Sequence, residues 1–124
     1  MENKIFDYHK LCNNIKKLDE KIQFVSVINA DGNLITGGLN GESNSIENQR
    51  FYEDLYEEVA VRIKLRKKFD SLLGEVKGTV VIRKRVITMN FPLNENILFV
   101  SADTSINYSE ILEKILKEIS EDVK

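Results

Sequence analysis

The sequence predicts an α+β domain in which one antiparallel five-stranded sheet carries helices on both faces. Three observations predict it. The apolar period switches between helical and alternating several times, dividing the chain into three helical and two strand-rich blocks. Within residues 76–104 the turns are so short that neighbouring strands must run antiparallel. Two segments, 23–30 and 97–102, are apolar at successive positions and need cover on both faces.

Taking the elements in order, Ile5, Tyr8, Leu11, Cys12, Ile15, Leu18 and Ile22 recur at helical steps and place a single apolar stripe on a helix over residues 3–20. Phe6 lies off that stripe. Next, two apolar runs flank Ala30-Asp31-Gly32-Asn33, and Asp-Gly is a strong tight-turn signal, so residues 24–38 read as a hairpin. Gly37 and Gly38 in its second strand point to a bulge or a close backbone approach. A phosphate loop would need Lys-Ser/Thr or GxGxxG entering a helix, whereas Gly37-Gly38 lead into the polar linker Leu39–Ser45. A calcium loop would need further oxygen ligands beyond Asp31 and Asn33.

The middle helix spans residues 48–73 and ends at Gly74, where a left-handed residue is expected. Tyr52, Leu55, Tyr56, Val59, Ala60 and Ile63 gather on one side, while Val61, Leu65 and Leu72 gather on another, with Phe51 and Phe69 between. That apolar arc is too wide for one contact and predicts packing on another chain. Arg62 and Arg66 fall inside the arc; Glu53, Glu57, Lys64 and Lys68 mark the solvent side. Asp54, Glu58, Arg62 and Arg66 form an i,i+4 charge ladder.

Three strands follow, at 76–83, 86–91 and 97–101, joined as a meander. In the middle one Ile87, Met89, Phe91 and Leu93 alternate with Thr88 and Asn90, and the first, with Gly78, suits a sheet edge. Asn107 and Glu110 then cap a last helix striped by Tyr108, Ile111, Leu112, Ile115, Leu116, Ile119 and Val123. Asn107-Tyr108-Ser109 also fits a glycosylation acceptor, and the cap is the better explanation. The two single-striped terminal helices can share one sheet face, leaving the middle helix for the other.

At 124 residues and 42% hydrophobic, the chain reads as one domain, residues 1–124, able to bury a core without disulfide or metal. A net charge of -2 gives no global field toward nucleic acid or an anionic surface. One cysteine forms no internal disulfide, and no apolar run has signal-peptide or membrane-spanning length, so a cytoplasmic protein is expected. Catalysis finds little support. His9 flanks the first stripe, Cys12 sits on it as a buried thiol, zinc lacks ligands, and the carboxylates are spaced for helix ion pairs. No cofactor is expected.

In element order and spacing, nearly the whole chain resembles the roadblock (dynein light chain) family, whose fold is related to longin and profilin domains. Its carriers are Val27-Ile28-Asn29-Ala30-Asp31-Gly32-Asn33-Leu34-Ile35 and the run from Ile87 through Pro92 to Val100. The resemblance implies the sheet order 2-1-5-4-3 and homodimerisation through the middle helix and the third strand. The matching positions are Val59, Arg62, Ile63, Arg66, Thr79, Val81 and Arg83. It further implies a non-enzymatic scaffold or regulator working with a small Ras-like GTPase or another signalling protein. A second reading is a small-molecule sensory domain of profilin or PAS type, with a cavity between sheet and middle helix bounded by Tyr52, Tyr56, Met89 and Phe91. A third is a weak nucleic-acid binder using Lys64, Lys67, Lys68, Arg83, Lys84 and Arg85, which the scatter of these charges around the helix disfavours.

Overall fold

The computed structural model describes residues 7–38 and 46–122. The predicted helix start at residue 3, Ile5, Phe6, the linker Leu39–Ser45 and Val123 lie outside the described residues. Helix α1 (Tyr8–Lys16) begins where the Asp7 carboxylate accepts from the Lys10 amide at 3.0 Å. It stops short of residue 20 because Asp19 organises a turn, its side chain accepting from Lys21 N at 2.8 Å and its carbonyl from Ile22 N at 3.1 Å. Ile22, read as part of the helical stripe, is instead the first residue of strand β1 (Ile22–Ile28).

The Asp31-Gly32 hairpin to β2 (Leu34–Gly37) forms as predicted. Asn29 Oδ1 accepts from the amides of Asp31 and Asn33, both at 2.9 Å, and Gly32 takes φ +89°. Of the two features expected at the glycines of the second strand, Gly37 shows the close backbone approach, while the bulge falls at Ile35, between Thr36 and Leu34. The ladder slips between Val27 and Ile28, and a Cβ on Gly37, at φ +84°, would fall 2.2 Å from the Val25 carbonyl oxygen.

Helix α2 (Ile46–Arg66) runs into a 3₁₀ turn at Lys67–Phe69 and a single helical turn, α3 (Asp70–Leu73). The predicted unbroken helix to residue 73 is thus interrupted. A 3₁₀ turn advances about 120° per residue rather than about 100°, so the segment after it is re-aimed, and Leu72 and Leu73 stand 86% and 77% exposed. Gly74 has φ +87° but ψ 161°, an extended conformation open to glycine rather than the expected left-handed one.

Strands β3 (Thr79–Ile82), β4 (Ile87–Leu93) and β5 (Asn96–Ala102) form the meander, and helix α4 (Tyr108–Asp122) is capped by Asn107 Oδ1 accepting from Glu110 N at 3.2 Å. The sheet order is β2-β1-β5-β4-β3, all antiparallel, as the resemblance implied.

Two cores lie on opposite faces of this sheet. One joins Leu11, Cys12 and Ile15 of α1 and Ile111 and Ile115 of α4 to Val25, Val27, Met89, Phe91, Leu98 and Val100. The other joins Tyr56, Val59 and Ala60 of α2 to Phe24, Ile28, Ile97 and Phe99. The central strands β1 and β5 therefore supply both cores by alternation, as their two-sided apolarity requires. An irregularity between Ile22 and Phe24 in the β1–β5 ladder lets Ile22 serve the first core although Phe24, two residues on, serves the second. Phe24, Phe99, Tyr52 and Tyr56 interlock, with Tyr56 edge-on to Phe99 at 5.3 Å and Tyr52 edge-on to Phe24 at 5.2 Å.

The sheet is notched at one corner, and Pro92 is the reason. Arg83 N donates to Val86 O at 3.0 Å, which closes a two-residue turn and fixes the alternation of bonded pairs down the β3–β4 ladder: Val81 with Thr88, then Thr79 with Asn90. The next bonded pair would be Lys77 with Pro92, and proline has no N–H to give. So β3 begins only at Thr79 while β4 runs on to Leu93 beside β5. The sequence expectation ended β4 at Phe91 and began β3 at Val76; both boundaries shift because the missing donor faces the edge, where a strand tolerates it.

Candidate interaction surface

Helix α2 lies over the β1 and β5 half of the sheet, where aromatic side chains meet it. Over β4 and β3 the same face presents Thr88, Asn90, Thr79 and Val81, because Met89, Phe91 and Val80 alternate into the opposite core. A groove of about 270 Å³ remains between α2 and β3. Six of the seven predicted interface residues line it: Val59, Arg62 and Arg66 from the helix, and Thr79, Val81 and Arg83 from the strand and its turn. The seventh, Ile63, packs against the aromatic core. Val59 is already 7% exposed, so it forms the groove's wall rather than its rim.

Above the groove the outer side of α2 and the 3₁₀ turn after it leave apolar side chains uncovered around the Glu58–Arg62 pair. Phe51, Val61, Leu65 and Phe69 are each more than half exposed, and Ile82 on the edge strand is 61% exposed. The second strip read from Val61, Leu65 and Leu72 is therefore open in the single chain. Phe51, Leu65, Phe69 and Ile82 lie outside the seven predicted interface positions, and Leu65, Phe51 and Phe69 carry the signal in the width of the apolar arc. Arg62 Nε donates to Glu58 Oε2 at 2.7 Å within this strip, the one rung of the predicted ladder that the ion pairs of the described residues contain.

The other candidate chemistry separates in space. His9 is exposed and Cys12 is buried, and burial pushes the Cys12 thiol up to about 11, so it stays protonated at neutral pH. Among the described residues no three or more His, Cys, Asp or Glu side chains gather as a metal site. The cavity expected between Tyr52, Tyr56, Met89 and Phe91 does not form, because Met89 and Phe91 belong to the α1–α4 core on the far face. Ser26 Oγ instead donates to the Tyr56 hydroxyl at 3.1 Å inside the aromatic layer. The predicted nucleic-acid set is also divided. Lys64 Nζ pairs with Asp31 Oδ1 at 3.6 Å beside the β1–β2 turn, while Arg83, Lys84 and Arg85 sit in the β3–β4 turn at the opposite end and opposite edge of the sheet.

A five-stranded sheet in the order 2-1-5-4-3, one long helix on one face and the two terminal helices on the other, defines the roadblock/LC7 type of domain. Solved structures agree. The chain is similar to a roadblock/LC7 domain from Streptomyces avermitilis (12% identity, 90% of this chain and 91% of that one, TM-score 0.68). It is similar to the gliding protein MglB from Thermus thermophilus (11%, 93% and 87%, TM-score 0.68) and to MglB from Myxococcus xanthus (15%, 96% and 96%, TM-score 0.68). Residues 1–123 match the family of unknown function DUF6659, and the chain belongs to that family. Among curated proteins no sequence matches it. No helix of the described residues is long and apolar enough to cross a membrane.

Proposed function

We propose that this chain is a non-enzymatic homodimeric module that scaffolds or regulates a small Ras-like GTPase. The observation that carries the reading is the open apolar strip on α2 beside an unpaired edge strand. A two-fold axis passing near Glu58 would set Phe51 of one copy toward Leu65 of the other and let Glu58 and Arg62 pair across as well as within chains. The same axis would bring the two β3 edges together, continuing the sheet and covering Ile82. An isologous contact of this kind uses one patch twice, so each apolar residue counts double. The likeness to MglB and roadblock/LC7 domains supports the GTPase-associated role.

Sedimentation velocity at tens of micromolar, the order at which an ordinary weak dimer forms, tests the first half of the reading. A dimer is the expected result, and a monomer at that concentration overturns it. For the second half, the dimer is used as bait in a native lysate, with GTP analogue or GDP added. Recovery of a small GTP-binding protein that depends on the added nucleotide is expected; recovery of none in either state overturns the GTPase assignment.

A further inference from the structure

The notch that Pro92 leaves in the sheet is a cleft of about 620 Å³, within the range of small-molecule sites. Its walls come from both layers: Ile63 from α2 on one side and Leu116 and Ile119 from α4 on the other, with Val76 and the buried Leu93 completing the apolar lining. Arg66, Lys67 and Lys77 stand on its rim, and none of them is in an ion pair among the described residues. Asp70 and Glu75 share the rim, leaving it one positive charge in excess. One bound negative charge neutralises that excess, whereas the further charges of a polyanion would stand uncompensated beside Asp70 and Glu75. An added strand is also a poor occupant, since Pro92 offers it no donor along this edge.

From this we infer that the cleft binds a small amphipathic monoanion, an aliphatic or aromatic carboxylate whose apolar body lies between Ile63 and Ile119 and whose head is met by Lys77 and Arg66. The site goes beyond the dimer reading and does not depend on it, because Lys77 and Ile119 do not line the α2–β3 groove. Its origin is local: one residue without an N–H ends a ladder early, and the overhanging helices turn the gap into a pocket.

The test uses decanoate and its neutral counterpart decan-1-ol, titrated into the ¹⁵N-labelled full chain and followed by amide shifts. Decanoate is expected to saturate a set of shifts centred on Val76, Lys77, Leu93 and Ser120, with decan-1-ol at least about tenfold weaker. Lys77→Glu, at an exposed position, should weaken decanoate about tenfold and leave decan-1-ol unchanged. Ile119→Trp should fill the cleft and abolish both, and sedimentation of both variants should match the parent. Equal binding of acid and alcohol overturns the inference. So do decanoate shifts centred on Phe51 and Leu65, or a Lys77→Glu variant that binds decanoate as the parent does. Should Ile119→Trp not fold, Lys77→Glu alone decides.

Discussion

Leu65→Glu is the sharpest perturbation of the proposed dimer. Leu65 is 55% exposed in the single chain, so roughly half of its side chain is left for a second copy to cover. Full burial of a leucine is worth about 2 kcal/mol, which leaves about 1 kcal/mol per copy and, with two-fold symmetry, about 2 kcal/mol per dimer. Losing that alone weakens the dimer about thirtyfold. A carboxylate set against Phe51 of the other copy must also be desolvated without a partner, which takes the loss past about a hundredfold. Sedimentation velocity over a concentration series reads the dissociation constant, and thermal unfolding of the dissociated chain reads the fold. Because the side chain makes no core contact and glutamate is a good helix former, the monomer should keep its helical signal and unfold cooperatively. Dimerisation that survives Leu65→Glu unchanged would refute the strip as the interface, and a variant that unfolds would show that Leu65 supports the monomer instead.

Other substitutions probe the fold beneath that surface. Gly37→Ala sets a methyl 2.2 Å from the Val25 carbonyl at a positive φ, and should cost at least about 2 kcal/mol in urea unfolding. Phe99→Ala, fully buried at the centre of the aromatic layer, should cost about 3–5 kcal/mol by the same measurement. For Cys12 the folded thiol titrates near 11 against an ordinary 9.0. Above pH 9 the unfolded chain sheds a proton that the folded chain keeps, so the Cys12 contribution to stability should be level below pH 9 and fall as pH rises toward 11. Cys12→Ala should remove that part of the slope, and native Cys12 should resist iodoacetamide at pH 8 until the chain unfolds.

Features set by local chemistry were legible in the sequence. Asp31-Gly32 needs only its neighbours to make a turn, Asn107 needs only Glu110 three residues on to cap a helix, and the stripes of α1 and α4 name their own buried sides. The alternation of Met89 and Phe91 with Thr88 and Asn90 was equally plain. Which face each set would join was harder to read, because that depends on the layer each helix takes over β4. Tyr52 and Met89 were assigned to one cavity for that reason and lie on opposite faces of the sheet. The reach of β4 past Pro92 was hidden for a related cause. A proline ends or spares a strand according to the side its nitrogen faces, and the count back from Arg83 and Val86 decides that. Six residues of the predicted interface meet in one groove because α2 and β3 run side by side. Ile63 departs from them, since a helix turns about 100° per residue and carries it toward the aromatic layer.

Arg66 and Asn90 border both the α2–β3 groove and the cleft behind the notch. A guanidinium reaches one hollow at a time, so an anion that draws Arg66 rearward takes it from whatever sits in front. If both proposed sites fill, thermodynamic reciprocity would make the two occupancies antagonistic by a common factor, whichever of them is titrated. One arginine between two hollows would thus couple the proposed anion site to the proposed interface.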